Sequence, residues 1–300
     1  MKKILFILNS DFGIGHSIGA RAEHIAMQIK KEKNLTIICR NYKLNEKNDY
    51  NIIKIFPKAE IFMKILTGLQ IYISDKLPSN QVKNYVFDLF LLSKLKKLNL
   101  EKYSVVHSWD FLPKSFEYIK TKNPKIKLIQ DLPMAFADVN GNFLEKKKNY
   151  NYILKSINHI DLFIVPSPFV LNSLKNIGIF ENKIKLVPFG VDVSKFKSIK
   201  KSNKKFKVAF CGNVNKRKGI PLLIESWKNL NLKNAELNIY GRVYPEVKKY
   251  LIDKEKYNIF VHGFVDIKKE LPKNHIFVFP SYLEGSAKAV YEALASGLAV

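Results

Sequence analysis

Residues 208–221 read VAFCGNVNKRKGIP. An apolar run of strand character ends on Gly212, a basic stretch closes on Gly219, and Pro221, a favoured first-turn residue, helps open a helix near Ile220. A strand, a glycine turn and a helix in that order are the start of a βαβ unit, so this stretch places a parallel α/β sheet in the second part of the chain.

The same rhythm extends in both directions. Downstream, Leu237–Gly241, Ile259–Gly263 and Ile276–Ser281 read as strands, and a further helix starts from about Glu284. Upstream, strands are expected at Ile4–Leu8, Thr36–Arg40, Ile52–Phe56, Val105–His107, Lys127–Asp131, Leu162–Ser167 and Lys185–Pro188, most of them apolar enough to be buried on both faces. Between the two series lies the basic run SKFKSIKKSNKKFK, Ser194 to Lys207, whose lysines favour solvent. The expected organisation is an N-terminal Rossmann-like domain over residues 1–190, a basic linker over 191–207 and a C-terminal Rossmann-like domain over 208–300. The sequence closes at Ser296–Val300, where a helix ends on Gly297 and another strand begins, so the second domain reads as incomplete.

Composition narrows the function classes. With 300 residues, 47% of them hydrophobic and 26% charged, the chain can fill two ordinary cores, which excludes disordered and collagen-like classes. The 51 lysines and arginines against 26 acids give a formal net charge of +25, which favours an anionic partner: nucleotide, nucleic acid or anionic lipid headgroup. A lysine-rich compositional bias explains the same excess. The apolar run Ile4–Leu8 is stopped by Asn9, Ser10 and Asp11 before signal-peptide length, and no apolar stretch reaches the roughly 20 residues of a membrane span. Cys39 and Cys211 lie far apart with no Cys or His at metal-ligand spacing, so neither a disulfide framework nor a zinc site is expected, which fits a reducing cytoplasm.

Three constellations carry chemistry. After the first strand, Gly13-Ile14-Gly15-His16-Ser17-Ile18-Gly19 opens a helix through Arg21, Ala22 and Ile25, where Gly13 and Gly15 would let backbone approach an anion. The spacing is not G-x-G-x-x-G, and a plain tight turn explains it as well. In the second turn, Gly212, Asn213, Arg217 and Lys218 converge on a helix N-terminus, which is the physics of diphosphate binding; a solvated basic turn is the alternative. Third, Glu284-Gly285-Ser286-Ala287-Lys288 leads into Glu292. If all lie on one helix, the two acids stand about 12 Å apart along its axis. That reach suits a nucleotide sugar with its sugar hydroxyls at Glu284, its diphosphate over the amides of Gly285 to Lys288 and its ribose at Glu292, since carboxylates accept bonds from vicinal hydroxyls. Taken singly, Glu284 is an ordinary first-turn acid and Glu292 an exposed helical residue.

On these residues the chain resembles GT-B glycosyltransferases of family 4, the group 1 glycosyltransferases. The carriers are Val187-Pro188-Phe189-Gly190-Val191-Asp192 with Phe196, Gly212 to Gly219, Leu237-Asn238-Ile239-Tyr240-Gly241, Val261-His262-Gly263 and Pro280-Ser281-Tyr282-Leu283-Glu284-Gly285; the E-x7-E pair Glu284/Glu292 is the most specific. The resemblance implies an α/β fold of two Rossmann-like domains whose parallel sheets face a central cleft, a donor held mainly by the second domain and an acceptor by the first. It further implies a hexosyl transfer with retention at the anomeric carbon, no cofactor and no metal, and the chain has no Asp-x-Asp motif. Two positions depart from the family pattern. Asn213 stands where an arginine is frequent, although Lys218 keeps the matching lysine and Arg217 is available to compensate. Gln130-Asp131-Leu132-Pro133 stands where many members place a histidine after the strand, which makes Asp131 the candidate contact to the donor sugar, against the reading of a turn acid. His107 ends another strand and reads as a structural histidine.

The expected function is therefore a transferase moving a sugar from a nucleotide sugar to a glycan or lipid-linked acceptor in cell-surface polysaccharide synthesis. Glu284, Lys218, Arg217 and Asp131 are the candidate catalytic residues. Gly13, Gly15, Gly212, Asn213, Lys218, Gly285, Ser286, Ala287, Lys288 and Glu292 are the candidate donor-binding residues. Apolar positions at helical spacing from Ile61 to Ile73, flanked by Lys58, Lys64 and Lys76, suit packing on the sheet or peripheral docking on anionic membrane at the cytoplasmic face. The rivals are a nucleotide-sugar epimerase on the same plan, an inactive fragment and a basic nucleic-acid-binding protein, the last disfavoured by the absence of a nucleic-acid module.

Overall fold

A computed structural model describes residues 3–13, 18–29, 34–42, 50–55, 79–135, 147–201 and 205–300. The chain divides into two compact units, Met1–Val187 and Pro188–Val300.

The first unit is built on seven parallel strands: β1 (Lys3–Phe12), β2 (Leu35–Tyr42), β3 (Asn51–Lys54), β4 (Tyr103–Ser108), β5 (Lys127–Asp131), β6 (Leu162–Val165) and β7 (Ile184–Leu186). Their order in the sheet is β3-β2-β1-β4-β5-β6-β7. The chain fills the sheet outward from β1 to β3, then returns to the other side of β1 at β4, so the topological switch point lies between β1 and β4, where open α/β sheets bind ligands at the carboxyl ends of the strands. Successive residues of β1 serve opposite faces. Leu5 and Ile7 join Phe87 and Leu91 of α2 (Ser79–Leu95) and Phe116 of α3 (Pro113–Lys122) in one core, whereas Phe6 and Leu8 join Ala22 and Ala26 of α1 (Ile18–Ile29) in the other. Both faces being covered, Leu5 to Leu8 are wholly buried, which is why the strand reads as an unbroken apolar run. Each such side chain contributes about 1.5–3 kcal/mol through burial.

The second unit repeats the plan with β8 (Phe206–Cys211), β9 (Ala235–Tyr240), β10 (Ile259–Gly263) and β11 (Ile276–Phe277), in the parallel order β10-β9-β8-β11. The helix Ile220–Leu230 covers one face with Ile220, Leu223, Ile224 and Trp227, the i, i+3, i+4, i+7 stripe of an amphipathic helix. The helix Lys288–Ala295 covers the other, with Ala293 packed beside Ala209, Tyr240 and Phe277.

Every expected strand is found, and two expectations are corrected. The segment assigned to a basic linker over 191–207 belongs to the second unit: Phe196 is buried, Lys201 Nζ donates to the carbonyl of Gly297 at 2.6 Å, and β8 already starts at Phe206. Phe196 is buried and Lys201 bonded within a run that is otherwise mostly exposed, which a charge-based reading does not separate. The last helix begins at Lys288 and not near Glu284, so the two acids do not share one helix and the 12 Å helical spacing does not apply. The apolar segment 58–76 lies outside the described residues.

Candidate functional site

The basic turn of the second unit is fixed by its own backbone. Asn215 caps a 3₁₀ turn over Lys216–Lys218, its Oδ1 accepting the Lys218 amide at 3.1 Å, and Gly219 ends that turn in the left-handed region at φ 70°. A methyl group at Gly219 would lie 1.9 Å from the carbonyl oxygen of Pro280, so the basic turn and the end of the β11 segment meet backbone to backbone. A second close approach ties the turns after β8 and β9, because a methyl group at Gly241 would lie 2.0 Å from the carbonyl oxygen of Gly212. Gly212 itself has φ 150°, and Asn213 beside it is exposed.

These approaches bring Arg217, Lys218 and Glu284 together. Oε1 of Glu284 accepts from Arg217 NH1 at 3.0 Å, from Ser281 Oγ at 2.6 Å and from Lys218 Nζ. Arg217 NH1 also donates to the carbonyl of Leu283 at 2.5 Å, and Lys218 Nζ lies 4.7 Å from the centroid of the Phe279 ring. Burial lowers the Lys218 ammonium from its ordinary pKa, and the adjacent Glu284 carboxylate opposes that shift. The Lys288–Ala295 helix starts without a side-chain cap at Ala287, leaving a helix N-terminus that attracts anions just after Gly285. Ser286 Oγ is 3.1 Å from the Tyr291 hydroxyl, and Lys288 Nζ is 3.7 Å from Oε1 of Glu292. Glu292 and Lys218 both act on the Cys211 thiol, which burial first and then Glu292 push up to about 12. Glu284, Arg217 and Lys218 are brought together in the second unit, while Glu292 pairs with Lys288 one turn into the last helix; Ser281 and Asn215, which hold Glu284 and Lys218, were missed by the sequence reading, although an Asn three residues before the lysine is a recognisable capping signal.

In the first unit, Asp131 is wholly buried and its Oδ2 accepts from Arg21 Nε at 3.1 Å and NH2 at 2.9 Å. His107 Nε2 stands 3.6 Å from the same oxygen, its ring stacked on Trp109 at 4.3 Å and edge-on to Phe6. Oδ1 of Asp131 and Nε2 of His107 are buried without a hydrogen-bond partner among the described residues. Arg21 was not singled out from sequence, since nothing local ties residue 21 to residue 131. Gly13 turns at φ 73° and its amide points to the Gly19 carbonyl at 3.4 Å; Gly15 lies outside the described residues. Among the described residues no group of three His, Cys, Asp or Glu side chains gathers, and no helix is long and apolar enough to cross a membrane.

Two Rossmann-like units with an anion-ready turn in the second define the GT-B class, and solved structures of that class share the fold. The lipopolysaccharide outer core galactosyltransferase WaaB in its apo form is similar at TM-score 0.63 and 15% identity, covering 99% of this chain and 79% of its own. HepE of Anabaena in complex with UDP and glucose is similar at TM-score 0.67 and 12% identity, covering 99% and 79%. A TarM variant of S. aureus in complex with fondaparinux, α-GlcNAc-glycerol and UDP is similar at TM-score 0.66 and 14% identity, covering 99% and 84%. The family model described as Glycosyltransferase Family 4 matches residues 28–195, and that described as Glycosyl transferases group 1 matches residues 192–300. The chain belongs to the family 4, or group 1, glycosyltransferases. No curated protein matches it.

Proposed function

We propose that this glycosyltransferase moves a hexosyl group from a nucleotide sugar to a glycan or lipid-linked acceptor, with retention at the anomeric carbon and without metal or cofactor, in the synthesis of a cell-surface polysaccharide. The observation that carries the reading is the convergence of Arg217, Lys218 and Glu284 beside the uncapped start of the Lys288–Ala295 helix. Two cations and the start of a helix stabilise the charge that develops on a departing diphosphate, where fixed donors help most. Glu284 orients the sugar through its hydroxyls and Glu292 anchors the ribose. Gly212, Asn213 and the amides of Gly285 to Lys288 line the diphosphate. In the first unit, Asp131 is wholly buried against Arg21 and has no surface to offer a donor sugar. The similarity to structures named for a lipopolysaccharide galactosyltransferase and for UDP complexes supports a nucleotide-sugar donor. The net charge of +25 supports an anionic partner and peripheral work at the cytoplasmic face of a membrane.

A panel of nucleotide sugars screened by thermal shift identifies the donor, because a ligand at a hundred times its Kd adds about 2.7 kcal/mol to stability. Replacing Glu292 with Ala weakens binding of that donor in calorimetry; unchanged affinity removes Glu292 from the ribose site. Incubating donor without acceptor separates transfer from epimerisation, since only an epimerase converts the donor alone.

A further inference from the structure

The two cations assigned to the diphosphate already have an anion. Oε1 of Glu284 takes all three donors at once, Arg217 NH1, Lys218 Nζ and Ser281 Oγ, and the lysine and glutamate side chains are only 12% and 21% exposed. Lys218, packed over the Phe279 ring, is in a place where an ammonium group needs a counter-ion close by. A diphosphate brings two or more negative charges to the same pair of cations and cannot share Lys218 with the carboxylate without like-charge repulsion.

We propose that Glu284 is the resident counter-ion of this site, displaced from Lys218 by the incoming diphosphate and released by that exchange to accept hydrogen bonds from the sugar. The proposal rests on the reading of this turn as a diphosphate site and adds an order of events to it. In the free protein the carboxylate keeps Lys218 and Arg217 ordered and screens them from other anions. When the diphosphate takes over the cations, Oε1 loses two charged donors and its lone pairs face the ligand. A nucleoside diphosphate without sugar displaces Glu284 and gains nothing at the freed carboxylate, whereas a nucleotide sugar recovers the lost bonds through its hydroxyls.

Calorimetric titration of the full chain with UDP, GDP and ADP tests the exchange in wild type and Glu284→Gln. Glutamine keeps an oxygen for Ser281 and Arg217 and removes the competing charge. The variant is expected to bind the preferred nucleoside diphosphate roughly tenfold more tightly than wild type, with little change for the corresponding nucleoside. Equal or weaker binding of that diphosphate by a folded variant overturns the counter-ion role while leaving the diphosphate site in place. Absence of binding of all three diphosphates to wild type and variant alike overturns the site itself. Should Glu284→Gln fail to fold, Ser281→Ala loosens the same carboxylate through its 2.6 Å bond and is expected to tighten the diphosphate by a smaller factor, with no gain counting against the proposal.

Discussion

At the scale of single residues, the charge arrangement around Lys218 sets what substitution does. Lys218→Ala removes a fixed cation from the leaving group and leaves Glu284 with Arg217 and Ser281. Removing one such electrostatic donor typically lowers kcat by about 10²–10³. Steady-state transfer from the donor found in the thermal-shift screen measures it, and a kcat within a factor of two of wild type takes Lys218 out of the reaction. A different acid reports on stability. Burial holds the Asp110 carboxyl up at about 6, against its ordinary 3.8, with the Asn9 amide at 2.6 Å and the charge of Arg40 opposing the shift. Unfolded chains ionise this group near pH 4 while the folded protein retains its proton to about pH 6, so the stability it gives in acid is lost as pH rises through that window. Asp110→Asn is therefore more stable than wild type above pH 6 and loses the advantage below pH 4, as thermal melts from about pH 3 to pH 8 will show. A constant difference at every pH rejects the raised value. The pair Arg21–Asp131 belongs to this scale too: residue types alone offered Asp131 as a turn acid or a sugar contact, and it took packing to reveal the arginine on Oδ2.

At the scale of elements, the site depends on two turns brought into backbone contact. Gly219 ends the basic 3₁₀ turn at φ 70°, and the space beside it is filled by the Pro280 carbonyl. Gly219→Ala must adopt a left-handed conformation and push Pro280 away, which costs on the order of 2–3 kcal/mol and shifts the Arg217–Glu284 geometry. The variant is expected to melt several degrees lower and to bind nucleotide more weakly; wild-type values for both would mean that the close approach does not govern the site. Strand positions were legible because β1, β2 and β8 are buried on both faces and their apolar runs need no partner to be recognised. The start of the last helix was less legible. Glu284, Ser286 and Ala287 carry side chains a helix tolerates, but Gly285 weakens a helical start and Glu284 is pulled to Arg217 and Lys218, so that tertiary pairing decides the boundary.

At the scale of the whole molecule, two units each carry their own sheet and cores, so ligand effects can be assigned to one of them. A nucleoside diphosphate should slow amide exchange at the carboxyl end of β8, in the basic turn and from Gly285 into the last helix, and leave the strands β2 and β3 of the first unit unchanged. Hydrogen-exchange mass spectrometry resolves this; protection confined to the first unit would move the nucleotide site there. The same scale explains why composition was a weak guide: the charge of +25 is spread over the whole chain, whereas Lys218 and Arg217 converge on the single carboxylate of Glu284.

The sequence by itself determined the alternation of strand and helix, the two-unit plan and the glycine turns, because apolar periodicity and backbone permissiveness are short-range properties. Only the tertiary structure decided which groups meet. Arg217 and Lys218 reach Glu284 across 67 and 66 residues because β11 pairs beside β8, with Ile276 opposite Val208, and Arg21 reaches Asp131 across 110 because α1 packs on β1 and the sheet order sets β5 two strands away. Such pairings are set by strand order and packing, and no local pattern encodes them.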